Sequence, residues 1–161
     1  MRFIQTSFIL WASLFLLSAC APIQYEKNES SLIVIKTPKL KFADLGYVRK
    51  NRDQVRVDLF TAGQQVQSIE INHLVCVDDG CLSKSAFNKD YLDSSYPDDL
   101  ILDILLARPI FEKASLQKTE SGFMQKLKST QYNIIYKIEN GNIYFKDKQN
   151  RLLIKISKVK G

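Results

Sequence analysis

The groups in this chain that could do chemistry are few: three thiols (Cys20, Cys76, Cys81), one imidazole (His73) and two short carboxylate runs, Asp78-Asp79 and Asp98-Asp99. Nucleophilic catalysis by serine or cysteine needs a base within hydrogen-bond reach, and a single histidine can serve one such pair at most. Cys76 and Cys81 are claimed by another chemistry. They bracket Val77-Asp78-Asp79-Gly80, and Asp-Asp-Gly is turn chemistry that brings two thiols together, so the spacing predicts a disulfide. A structural zinc site would need a fourth ligand beyond Cys76, Cys81 and His73, and no C-x-x-C spacing occurs. His73 falls on a strand pattern as a packed or surface residue. Asp98 and Asp99 read as charges at a helix N-terminus, and Asp78-Asp79-Gly80 lacks the further spaced carboxylates of a calcium loop. Strings of the type G-x-x-x-x-G-K, G-x-G-x-x-G and H-E-x-x-H are absent. The expectation is a protein that is not an enzyme and uses neither metal nor cofactor.

Cys20 is placed differently. It ends Leu17-Ser18-Ala19-Cys20, which closes an apolar run over residues 8–17 behind a polar start carrying Arg2. A basic start, an apolar stretch of this length and small residues before a cut site make a secretory signal. The segment resembles the signal of bacterial lipoproteins, which implies a diacylglyceryl group on the Cys20 thiol, cleavage before it, and a further acyl chain, such as palmitate, on the new N-terminus. A membrane span would need roughly 20 apolar residues, and Ala21-Pro22 with the polar stretch 24–31 stops the run. Two or three acyl chains, at about 0.8 kcal/mol per buried CH₂, hold a protein on a membrane durably. Ala21 follows the cysteine in place of the aspartate linked to inner-membrane retention, so the expected location is the outer membrane, with the body facing the periplasm.

Domain organisation follows from these boundaries: residues 1–19 as signal, 20–31 as lipidated N-terminus and flexible tether, and 32–161 as one domain. The 142 residues after the signal suit a single core. Arg2 is the only ionisable residue of the signal, so its removal lowers the net charge from +6 to +5. A charge of this size, spread along the chain, reads as a solvated surface that favours anionic lipid head groups and gives no nucleic-acid footprint.

The elements that must carry these residues are mostly strands. Leu32-Ile33-Val34-Ile35 is β-branched and stops at Thr37-Pro38; Phe42, Leu45 and Tyr47 surround Gly46. Val55, Val57 and Leu59 alternate with Arg56 and Asp58, the pattern of a half-buried strand. After a turn at Ala62-Gly63, residues 66–75 return with Ile69, Ile71, His73 and Val75 on one face, and Val66 is out of phase, which predicts a bulge. From Lys84 the period changes to helical. Residues 85–92 form one short helix, and Pro97-Asp98-Asp99 opens a second, Leu100-Ile101-Leu102-Asp103-Ile104-Leu105-Leu106, ended by Pro109. Phe123, Gln125 and Leu127 alternate again. Asn140-Gly141 between apolar alternations is the strongest short hairpin signal; a two-residue turn there pairs Ile138 with Ile143 and Tyr136 with Phe145. Leu152, Ile154 and Ile156 end the pattern. The order of strands, helix and strands predicts an α+β fold, a curved antiparallel sheet, half-barrel-like, wrapping one or two helices.

The cysteine signal, the one-domain size, the Asn-Gly hairpin and the stretch 96–106 together look like small outer-membrane lipoproteins of Gram-negative bacteria. More loosely, they are similar to the LolB-like lipoprotein-localisation superfamily. That resemblance implies an unclosed half-barrel capped by helices, with an apolar cavity receiving the acyl chains of lipoprotein cargo. On the sheet and helix read above, the lining would be Leu102, Leu105, Tyr136, Ile138, Ile143 and Phe145, with Ile101 left unassigned. The alternative function is a non-enzymatic interaction module, an accessory subunit of an outer-membrane assembly. A cavity of roughly 300 Å³ or more would separate the carrier from the docking module.

Overall fold

Ala62-Gly63 and Asn140-Gly141 each turn the chain with both residues at positive φ, 51° and 81° in the first, 50° and 75° in the second. That is the backbone of a primed two-residue hairpin, whose twist matches the flanking strands. The computed structural model describes residues 25, 27–78 and 80–159. Within them the chain forms β1 (Lys27–Lys36), β2 (Lys41–Lys50), β3 (Val55–Thr61), β4 (Gln64–Ile71), β5 (Val75–Val77) and β6 (Gly80–Leu82). Two short helices follow, α1 (Lys84–Tyr91) and α2 (Leu100–Leu105). The last strands are β7 (Leu116–Thr119), β8 (Gly122–Lys128), β9 (Asn133–Glu139), β10 (Asn142–Asp147) and β11 (Leu152–Lys158).

All eleven strands join one antiparallel sheet in the order β6-β5-β4-β3-β2-β1-β11-β10-β9-β8-β7. It is two meanders, β1–β6 and β7–β11, stitched along β1 and β11, where Ile33 opposes Ile156 and Ile35 opposes Ile154. The Asn-Gly hairpin has the expected register, Ile138 on Ile143 and Tyr136 on Phe145. The bulge is also where alternation put it: Leu59 opposes Gln67 and Phe60 opposes Gln65, so Val66 is the extra residue. Gly46 is required for packing, because a Cβ there would lie 2.6 Å from Ile33 Cδ1 and 2.7 Å from the Asp58 carbonyl oxygen.

The α+β expectation is overturned: among the described residues the fold is essentially all-β, with one eleven-stranded sheet and two helices of 8 and 6 residues. Several stretches without an alternating signature are strands. Residues 27–31, read as tether, pair with β2 at Lys50, Arg49, Val48, Tyr47 and Gly46. Residues 116–119 pair with β8. The return strand of the first hairpin is broken in two, because Asn72 Oδ1 accepts from Leu74 N at 2.9 Å and bends the chain between β4 and β5. The first turn of α2 is shorter than Pro97-Asp98-Asp99 predicts; the helix starts at Leu100, and Asp99 pairs with Lys84 at 2.5 Å.

One face of the sheet is buried. Val57, Leu59 and Ile71 from one meander and Ile134, Tyr136, Phe145 and Ile154 from the other form a single cluster with Leu100, Ile104 and Leu105 of α2. A sheet of this width curls, since strong twist rarely lets an open sheet exceed about ten flat strands. The helices fill the concave side, and α2, with Leu100, Ile101, Leu102, Ile104 and Leu105 all buried, plugs the core.

Candidate functional site

Cys20, the expected lipid attachment point, lies outside the described residues. Cys76 and Cys81 are bonded, with an S–S distance of 2.05 Å, and face one another in register across β5 and β6 at one end of the sheet. His73 is exposed in the bend between β4 and β5. Among the described residues no group of three or more His, Cys, Asp or Glu side chains could hold a metal ion.

The six candidate lining residues are all brought together, but as packed core. Tyr136 and Phe145 are 0% exposed, and Leu102, Leu105, Ile138 and Ile143 are buried beside them. The Tyr136 ring sits 5.5 Å from Phe123 and 6.2 Å from Phe145 in edge-on contacts. Its hydroxyl donates to the Ile104 carbonyl at 3.4 Å. Burial, with a smaller push from Asp103, raises the Tyr136 pKa above the usual tyrosine range.

An enclosed apolar space lies to one side of these residues. It is a seam between α1, α2 and the sheet, bounded by Ile35, Val57, Ile69, Phe87, Tyr91 and Leu105 among others, and it holds only about 20 Å³. That is about the room of one water, far from the 300 Å³ of a ligand site. The helix that covers it is held by Phe87 in the core and by polar contacts. Ser83 caps α1 by accepting from Ala86 N, and the buried Asn88 donates to the Pro97 carbonyl at 2.8 Å. Lys39 pairs with Asp90 at 2.8 Å while lying 5.3 Å from the Tyr91 ring centroid.

The outward face of the sheet carries two arrangements that alternation along single strands does not reveal. In the first meander Asp58 points outward and is nevertheless 0% exposed. Its Oδ1 accepts from Arg56 Nε at 2.9 Å, Arg49 Nη2 lies 3.2 Å from Oδ2, and Arg56 also reaches Glu70 at 3.3 Å. Tyr25 lies against this cluster, and burial first, then Glu70, raises its pKa.

In the second meander the outward positions of β8, β9, β10, β11 and β1 make a checkerboard. One row across the strands reads Lys126, Ile135, Lys146, Leu153, Lys36, each residue directly opposite the next. The adjoining row reads Met124, Lys137, Tyr144, Lys155, Val34. Within these two rows each lysine faces apolar residues and no two of the five lysines stand directly opposite; at the margin of the patch Lys36 also faces Lys41 of β2, a like-charged pair. The five apolar side chains are half-buried, shielded by aliphatic lysine stems whose ammonium groups remain in water. Glu139 is the one carboxylate at the outward positions of these five strands, and Lys137 pairs with it at 2.8 Å. Among the described residues Lys36, Lys126, Lys146 and Lys155 join no ion pair. Along each of the five strands one lysine follows an apolar residue by two positions, but only the strand register lines them up. Compared with family models, with curated proteins and with solved structures, this chain finds no match.

Proposed function

We propose that this chain is a lipid-anchored, non-enzymatic protein of the outer membrane, facing the periplasm, whose sheet serves as a docking module. The observation that carries this reading is the filled concave side. Tyr136, Phe145 and α2 occupy the space where an acyl chain would sit, and about 20 Å³ remains beside them. With the inside filled, the outward face is the surface left to work. The anchor rests on Cys20 and the apolar run before it.

The other reading, carriage of an acyl chain in lipoprotein trafficking as in LolB-like proteins, has one observation in its favour: the seam under α1 is walled almost wholly by apolar side chains. A photoreactive fatty-acyl probe separates the two. A docking module takes the probe without saturation, and Phe87→Trp, which adds bulk beside the seam, leaves labelling unchanged. Saturable labelling that Phe87→Trp abolishes would establish the carrier and sink the docking reading.

A further inference from the structure

We propose that the lysine checkerboard of β8–β11 and β1 is a seat for an anionic lipid bilayer surface. The inference rests on the docking reading and names the partner. Charge is the first argument: five lysines and one acid share this patch, and four of the lysines have no carboxylate partner among the described residues.

The choice of cation is the second. None of the chain's arginines falls on the checkerboard; Arg49 and Arg56 are engaged with Asp58. Protein interfaces are enriched in arginine and depleted in lysine, and planar bidentate recognition of a fixed carboxylate or phosphate calls for a guanidinium. A lysine is a mobile point charge on a flexible stem. It suits a fluid array of phosphates whose positions are not fixed, where each basic residue adds a similar increment. The apolar squares supply the complementary term. Tyr144, Leu153 and Ile135 lie between the ammonium groups at the depth where side chains meet the headgroup and acyl boundary.

Reach is the third. Tyr25 lies against the Asp58 cluster on the same outward face, and Cys20 precedes it by five residues, at most about 18 Å of extended chain. The rows lie at Val34 and Lys36, seven and nine residues along β1, about 23–30 Å. The patch spans five strands, about 19 Å across. An anchor at Cys20 and the patch can therefore lie on one plane.

The test uses the full chain carrying Cys20→Ala, so that no acyl chain contributes. The readout is the ratio of partition into phosphatidylglycerol vesicles over phosphatidylcholine vesicles. Lys126→Gln, Lys146→Gln and Lys155→Gln together are expected to lower that ratio about 100-fold, from roughly fivefold per lysine. Lys89→Gln, Lys113→Gln and Lys118→Gln, which remove the same charge elsewhere, are expected to leave it within about fivefold. In a Trp11→Phe background, Leu153→Trp should shift its emission to the blue with phosphatidylglycerol only. Equal losses in the two triple variants would reduce the effect to net charge and overturn the proposal. An unchanged ratio in the first triple with an unshifted tryptophan would also overturn it, leaving the face to an acidic protein. Neither result bears on the acyl-probe outcome, so failure of the lipid seat is distinguishable from failure of the docking reading.

Discussion

The side chain of Gln125 forms a reciprocal pair of hydrogen bonds with the backbone of Ile110: its Oε1 accepts from Ile110 N and its Nε2 donates to Ile110 O, both at 2.9 Å. The same Nε2 donates to the Ala114 carbonyl at 2.7 Å. Between these anchor points Phe111, Glu112 and Lys113 all have positive φ, 47°, 51° and 66°, a left-handed turn that costs roughly 1–2 kcal/mol per residue for side chains with a Cβ. A fully buried amide on β8 thus holds the link from α2 to β7 in a strained shape.

Gln125→Glu is expected to lower stability by about 2–4 kcal/mol, because the carboxylate loses both donors and leaves two carbonyls unpaired in the core. Glu112→Gly should act the other way, raising stability by up to about 1 kcal/mol, since glycine adopts positive φ without the steric penalty. Urea denaturation of the two variants checks both signs.

Tyr136→Glu and Leu105→Glu are expected to unfold the domain, at more than about 3 kcal/mol, since each puts a carboxylate into a fully packed core. Tyr136→Phe should cost under about 1 kcal/mol, because the hydroxyl makes a single long hydrogen bond. A Glu variant that keeps its near-UV spectrum and thermal transition would contradict a filled core around Tyr136 and Leu105.

Cys20→Ser should give an unprocessed or soluble form that no longer enters the detergent phase on partition, because the thiol is the attachment point for the anchor. Retention of the variant in outer-membrane fractions would contradict the lipid reading.

The Cys76–Cys81 bond closes a short loop and should contribute about 2 kcal/mol in the chain-entropy treatment. Thiol titration of the denatured, unreduced protein should find neither of these cysteines reactive.

Asp103 on α2 supplies a pH test. Burial, and after it the charge of Asp99, raises its pKa above the usual 3.8, against the opposing pull of Arg108 and Lys84. A raised carboxyl pKa means the folded state binds the proton more tightly than the unfolded chain. The associated stability is present below the unfolded value and is lost as pH rises through the folded one. Asp103→Asn should therefore melt higher than the parent at neutral pH, with the gap closing as pH falls towards 4 and below.

What could be read from the chain alone was local. Asn140-Gly141 sets a two-residue turn, and side-chain alternation of period two then leaves one register for Tyr136, Ile138, Ile143 and Phe145. Val66 breaks the period within its own strand, and Cys76 and Cys81 flank their own turn, so bulge and disulfide are equally visible. The tertiary structure decided whatever depends on distant partners. Residues 27–31 are polar and carry no alternation, yet β2 offers them a ladder, and the link between the two meanders, Ile33 on Ile156, joins residues from opposite ends of the chain. Those pairings turned the expected α+β fold into a single all-β sheet. Asp58 reads as a solvent-facing residue and is buried because Arg49, on the neighbouring strand, reaches over it. The lysines between 126 and 155 look like ordinary solvated positions on separate strands. Only backbone hydrogen bonding, which sets strands about 4.8 Å apart in fixed register, assembles them with Lys36 into one face.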